Sequence, residues 1–177
     1  MIVGLAGMLT LVSCSRKKDS FINRNYHAMT TKFNTMYNGE VAYETGRTEL
    51  DASYRDDYWE ILPVERIETF DDITRPGDSK NPNFERAEEK AIKAIQKHSM
   101  RIDGEEYNPQ IDESFIMLGK ARYFEQRFIP ALEAFNYVLA YYPTSNSIAQ
   151  AKIWKEKRIS DSIIMSLPLQ TLENFSK

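Results

Sequence analysis

Apolar residues recur every three or four positions through most of this chain, and the clearest run is Ile111 to Pro143. Ile111, Phe115, Leu118 and Arg122 fall at helical spacing, and Met117, Ala121 and Phe124 widen the stripe. After a short break, Ala131, Phe135, Val138 and Tyr142 repeat the pattern, flanked by Leu132 and Leu139. This period predicts two amphipathic helices folded back on one another, not strands. Pro130 suits the first turn of the second helix, where a missing N–H costs nothing. Pro143 follows the last apolar position and stops that helix. Gly119 and Ala131 are small enough to let the two helices approach closely, with larger apolar residues filling the space around them.

The same period extends on both sides. Phe21, Ile22, Tyr26, Met29, Phe33, Met36 and Tyr37 predict a helix with Ser20 or Asn23 as its cap. Asn38-Gly39 reads as a turn, followed by a more polar helix from Glu40 to about Ser53. Ile22 to Ser53 is therefore expected to form a hairpin of its own. Gly46 inside the second helix costs about 1 kcal/mol against alanine. Tyr54 to Val64 is dense in aromatics. It is expected to be a strap packing Trp59, Ile61 and Leu62 onto the first hairpin, or a partner-binding edge. Thr69 to Asn83 has loop composition.

Pro82-Asn83 opens a helix to about Met100, with Phe84, Ala87, Ala91, Ile92 and Ile95 inside. Its early glutamates and late lysines match the helix dipole, and His98 is expected on the surface near its end. Asp103-Gly104 makes a turn. A last helix runs from Asn146 to about Met165, capped by Ser145 or Ser147, with Ala149, Ile153, Trp154, Ile159 and Ile163 apolar. Pro168 ends it, and 166–177 is a tail.

The central run resembles a tetratricopeptide (TPR) repeat, a helix-turn-helix unit of about 34 residues. Counting from Asp112, Phe115 takes the early aromatic place and Leu118-Gly119 the Leu-Gly place. Ala131 takes the crossing position, Phe135 the second-helix aromatic and Pro143 the terminal proline. Arg122 and Val138 depart from the pattern, which usually has an aromatic and an alanine there. The resemblance implies an all-α fold of TPR-like antiparallel hairpins, the start of an α-solenoid, with a loop-rich insertion. The helical domain is expected over 21–165, with its best repeat at 112–145.

Charge and composition narrow the chemistry. A chain that is 42% hydrophobic and 28% charged is globular rather than disordered. A net charge of −3 offers no broad basic field for nucleic acid. One cysteine and two histidines far apart in sequence point away from disulfide, zinc or histidine-metal sites. Asp56-Asp57 reads as an exposed acidic turn rather than an acid–base pair. Asp71, Asp72 and Asp78 do not have calcium-loop spacing. No catalytic residue, metal, cofactor or small-molecule substrate is therefore expected.

Met1 to Val12 is an uncharged apolar run too short to span a bilayer, so 1–13 reads as a signal peptide. Leu11-Val12-Ser13-Cys14 resembles the lipobox of bacterial lipoproteins, with Cys14 as the lipid-attachment residue and 14–20 as an anchored tether containing Arg16-Lys17-Lys18. Ser15 after the cysteine favours outer-membrane sorting. The blocks Arg24 to Asn34, Tyr37-Asn38-Gly39 and Asp56 to Pro63, with the lipobox and the repeat, resemble the N-terminal region of the PorW/SprE lipoproteins. That family belongs to the type IX secretion and gliding-motility apparatus.

The resemblance implies a periplasm-facing, lipid-anchored outer-membrane scaffold whose partners are protein components of that machinery. Tyr58, Trp59, Arg122, Tyr123 and Tyr141 are the candidate partner surface. The alternative is a SusD-like glycan-binding lipoprotein of nutrient uptake, and a cell-wall enzyme is the third reading.

Overall fold

The computed structural model describes residues 15–56, 58–59, 62–67 and 81–166, with side chains described through Asp161. The predicted leader, Cys14, Asp57, Ile61, Asp71, Asp72, Asp78, and Pro168 with the rest of the tail lie outside the described residues. Among those described, the fold is all-α apart from one small β-hairpin. In chain order it comprises α1 (Phe21–Thr30), a π-helical segment (Thr31–Met36), α2 (Tyr37–Ser53), α3 (Pro82–His98), β1 (Arg101–Ile102), β2 (Glu105–Glu106), α4 (Ile111–Phe124), α5 (Phe128–Tyr141) and α6 (Ile148–Ser166).

The N-terminal region corrects the sequence expectation. Ser20 is the cap, accepting the Asn23 N–H at 3.3 Å. Asn23 is instead buried and donates its side-chain amide to the Lys18 carbonyl at 3.0 Å. No turn forms at Asn38-Gly39. The helix runs on from Phe21 to Ser53 through the π segment, a length of about 50 Å. Inward residues Asn23, His27, Thr31 and Thr35 are four apart and buried. A four-residue step overshoots an α-helical turn by about 40°. The wider π turn takes up that drift, so one face stays on the body.

Inside the helix Gly39 permits close packing: a Cβ there would lie 2.6 Å from Met117 Sδ and 3.1 Å from Lys90 Cβ. Gly46 is likewise pressed against Phe84, at 3.1 Å. The partner of α2 is therefore α3, not the helix before it. Asn81 caps α3, accepting the Asn83 N–H at 2.9 Å, with Pro82 in its first turn.

Contacts give the helix directions. Gly46 meets Phe84 and Gly39 meets Lys90, so α2 and α3 are antiparallel. Phe84 stacks on Phe124 at 5.0 Å, while Glu88 pairs with Arg122, so α3 and α4 are antiparallel as well. Phe115 stacks on Tyr137 at 4.1 Å and Tyr123 meets Phe128 at 5.7 Å, which sets α4 against α5. The alternate helices α2, α4 and α6 consequently run parallel. Ser114 Oγ donates to Met36 Sδ at the start of α4, whereas Tyr43 meets Phe124 at its end. Asp112 accepts from Ser147 Oγ, and Tyr123 donates to Asp161, across separations of 35 and 38 residues.

The core follows the seams. One cluster joins Tyr43, Phe84, Phe124, Tyr123, Phe135 and Trp154, and a second joins Met36, Ala91, Ala94, Met117, Leu118 and Ala134. Each buried large apolar side chain contributes about 1.5–3 kcal/mol, and edge-to-face rings such as Tyr123 on Trp154, 5.3 Å apart, add to that.

The strap is real but sits elsewhere than expected. Trp59 is 96% exposed and Leu62 is 40% exposed. The anchored part is Val64 to Ile67. Val64 N–H donates to Asp161 Oδ1 at 2.6 Å, Glu65 pairs with Lys157 and with Arg47, and Ile67 is buried. It therefore ties the end of α2 to α6.

Asp103 and Gly104, at φ 51° and 91°, form the predicted turn and close the β1–β2 hairpin, in which Ile102 faces Glu105. Two consecutive positive φ values favour this tight reversal. The hairpin delivers Asn108, whose buried amide donates to the His98 carbonyl at 3.0 Å and to Thr31 Oγ1 at 2.9 Å. That residue joins the π segment, α3 and the approach to α4.

Candidate functional site

Three parallel helices set side by side leave a concave face, and it holds a groove of about 530 Å³. The π segment and α2 supply Lys32, Phe33, Met36, Tyr37, Glu40, Tyr43 and Glu44 to one wall. From α4 come Glu113, Ile116, Met117 and Lys120. Ser147 and Gln150 close the far side. Met36, Tyr43, Ile116 and Met117 are buried and form an apolar floor, whereas Phe33 and Tyr37 are more than half exposed at the rim.

The groove's charges are partly dehydrated. Burial pushes the Glu113 carboxyl up, and neighbouring Asp112 adds to the effect. Burial pulls the Lys120 ammonium down. Lys120 Nζ lies over the rings of Tyr43 and Trp154, 5.7 and 5.4 Å from their centroids. Burial also raises the Tyr43 hydroxyl to about 12, so it stays a neutral donor. An exposed carboxyl and a half-buried ammonium either side of an apolar floor suit a ligand with an apolar side chain flanked by complementary polar groups. Nothing in this arrangement pairs a nucleophile with a base. Among the described residues no group of three or more histidine, cysteine, aspartate or glutamate side chains is placed to hold a metal.

The residues singled out from the sequence fall into two sets. The repeat residues sit at the α4–α5 seam. Gly119 faces the Phe135 ring, Ala131 and Phe135 are fully buried, Leu118 is buried, Phe115 is half-buried on Tyr137, and Pro143 lies just past α5. The candidate partner surface is not one surface. Tyr123 is 0% exposed and donates its hydroxyl to Asp161, so it belongs to the core. Arg122 is committed to Glu88 at 2.7 Å and to the Pro130 carbonyl at 3.2 Å. Tyr141 packs on Tyr137 at 4.4 Å beneath Arg101. Tyr58 and Trp59 are exposed, at 80% and 96%.

None of these five lines the groove. The sequence signal for its α4 wall is Ile116, an apolar position outside the Ile111, Phe115, Leu118 stripe, which with Met117 means that α4 has neighbours on more than one side.

The two histidines also correct the sequence expectation. His98 is buried, and its Nδ1 lies 3.1 Å from Nδ1 of His27 on α1. The contact needs one ring to donate and the other to accept, so the pair cannot hold two protons there. Burial lowers both imidazoles below their ordinary range; the His27 ring and Lys93 also act on His98, and Arg16 acts on both. The unfolded chain therefore binds more protons than the folded one as pH falls through the ordinary histidine range near 6.5. Stability is expected to drop between pH 7.5 and 5.5. In urea unfolding, a His27→Gln/His98→Gln variant should lose much less over that interval, and an equal loss would remove this account.

No protein-family model and no curated protein matches the chain.

Proposed function

We propose that this protein is a lipid-anchored scaffold of TPR-like hairpins, facing the periplasm from the outer membrane, that holds a partner segment in its groove as part of type IX secretion and gliding machinery. The observation that carries the scaffold reading is the groove between parallel helices α2, α4 and α6. The 35- and 38-residue separations of α4–α6 contacts support a repeat, being close to the 34-residue TPR period. The Phe115, Leu118-Gly119, Ala131, Phe135 and Pro143 pattern supports it from the sequence side. The assignment to secretion rests on the resemblance of the N-terminal blocks, and the anchor rests on Leu11 to Cys14.

Two measurements test this. A Cys14→Ala variant is expected to move from the membrane pellet to the soluble periplasmic fraction on cell fractionation; undiminished membrane retention would refute the lipid anchor. A photo-crosslinking side chain at Met117 is expected to capture a type IX component in envelope preparations. Glu113→Lys with Lys120→Glu should cut that capture several-fold. Capture that ignores the charge swap, or recovers no such component, would overturn the groove assignment.

The adjacent exposed rings of Tyr58 and Trp59 are the feature that favours the glycan-binding alternative. Retention on a polysaccharide column that is lost in Trp59→Ala would select it.

A further inference from the structure

Among the described residues, a long apolar surface lies uncovered outside the groove, on the outward face of α1 and its continuation. Ile22, Tyr26, Met29, Phe33, Tyr37 and Val41 follow one another at three or four residues, and they are 48–68% exposed. Phe21, at 81%, begins the same helix. The stripe extends for about 30 Å. The opposite face of the helix is taken: Asn23, His27 and Thr31 are buried, and His27 and Thr31 bond to His98 and Asn108. The helix is therefore pinned to the body with its apolar side outward.

Charge says what would cover this face. Ser15 to Val41 holds five basic residues and two acidic ones, Asp19 and Glu40, in a chain whose net charge is −3. Arg24 is paired with Asp19, and Arg16 reaches the Gln96 carbonyl. Lys17, Lys18 and Lys32 are exposed. An aliphatic and aromatic stripe bordered by lysines, with tyrosines whose hydroxyls reach the polar layer, is the composition of a helix lying in a membrane interface. No helix among the described residues is long and apolar enough to cross a membrane.

We propose that the α1–π face docks on an anionic lipid surface, lying parallel to it, independently of any acyl chain on Cys14. Lipid is the occupant because the segment that carries the stripe and its approach, residues 15–41, is net basic, while the remainder of the chain is net acidic. Docking there would hold the molecule flat against the bilayer, with Phe33 and Tyr37 placing the rim of the groove beside the headgroups. The inference does not rest on the secretion assignment or on lipidation.

The test uses the full chain carrying Cys14→Ser, which cannot be acylated, and Met29→Cys labelled with a polarity-sensitive fluorophore. Addition of vesicles of phosphatidylglycerol in phosphatidylcholine is expected to shift the emission to the blue, while pure phosphatidylcholine vesicles give much less. A label at Lys152→Cys, exposed on α6, is the control and should not shift. Because the readout is local, binding through the N-terminal apolar run would leave the Met29 label unchanged. Lys17→Gln/Lys18→Gln/Lys32→Gln should weaken partitioning about tenfold or more, since each basic residue near the surface contributes about 1 kcal/mol.

No shift at position 29, or an equal shift at position 152, would overturn the proposal. A concentration-dependent shift without vesicles would overturn it in favour of a second copy of the chain on this face. Circular dichroism of each labelled chain verifies that the helices remain formed.

Discussion

Replacing Gly119 with valine is expected to cost several kcal/mol and to leave little folded protein at physiological temperature. A Cβ on residue 119 would lie 2.4, 2.6 and 2.8 Å from three carbons of the Phe135 ring, closer than atoms in contact allow. Phe135 has nowhere to retreat, because it is fully buried and its ring stacks against Trp154 with centroids 6.5 Å apart. In an open helix, glycine to alanine gains about 1 kcal/mol. Here Gly119→Ala should instead lose about 1–3 kcal/mol through overpacking, and the branched valine more.

A double-mutant cycle separates the causes. Phe135→Ala alone removes ring contacts and should cost about 3–5 kcal/mol. With that cavity present, Gly119→Ala should become neutral or favourable, so the two changes couple strongly. A Gly119→Ala variant with a raised urea midpoint would show that the helices are not in contact at this seam.

The second large effect is expected at Arg127. Its guanidinium donates to Glu88 at 2.6 Å and to Glu125 at 3.1 Å, and all three side chains are at least nine-tenths buried. Arg122 holds the other oxygen of Glu88 at 2.7 Å. Arg127→Met removes the cation that bridges Glu88 and Glu125 and leaves their carboxylates close together out of water. Removing one partner of such a buried pair costs about 3–5 kcal/mol. Arg122 should keep the loss towards the lower end.

Adding Glu88→Gln and Glu125→Gln to Arg127→Met removes the repulsion between the two carboxylates and is expected to recover most of the stability. The penalty should also change little with added salt, because buried charges are poorly screened. A loss below about 1 kcal/mol, or one that vanishes in high salt, would mean that the network is exposed to solvent.

The sequence by itself determined the α4–α5 unit. Phe115, Leu118, Gly119, Ala131 and Phe135 interact across a short connection, so their spacing carries nearly all the information needed to set the seam. Helical period, with Pro82 in the first turn of α3 and Pro130 in that of α5, likewise placed α3, α5 and α6, because backbone hydrogen bonding and side-chain stripes are local. What failed was everything decided by a neighbour distant in the chain. Asn38-Gly39 has turn composition, yet the helix continues there, and Gly39 sits where α2 packs closely on Met117 and Lys90. Tyr123 looked like surface beside Arg122, but α6 brings Asp161 and Trp154 onto it.

His27 and His98 stand 71 residues apart in the chain, and only the docking of α1 on α3 makes them a pair. The groove was hidden for the same reason: it belongs to no single helix and exists only where α2, α4 and α6 lie parallel. Local periodicity specifies which residues form rods, because it acts over three or four positions. Which faces of those rods are sealed, and which are left for a ligand or a lipid surface, is settled by packing between segments that the chain order keeps far apart.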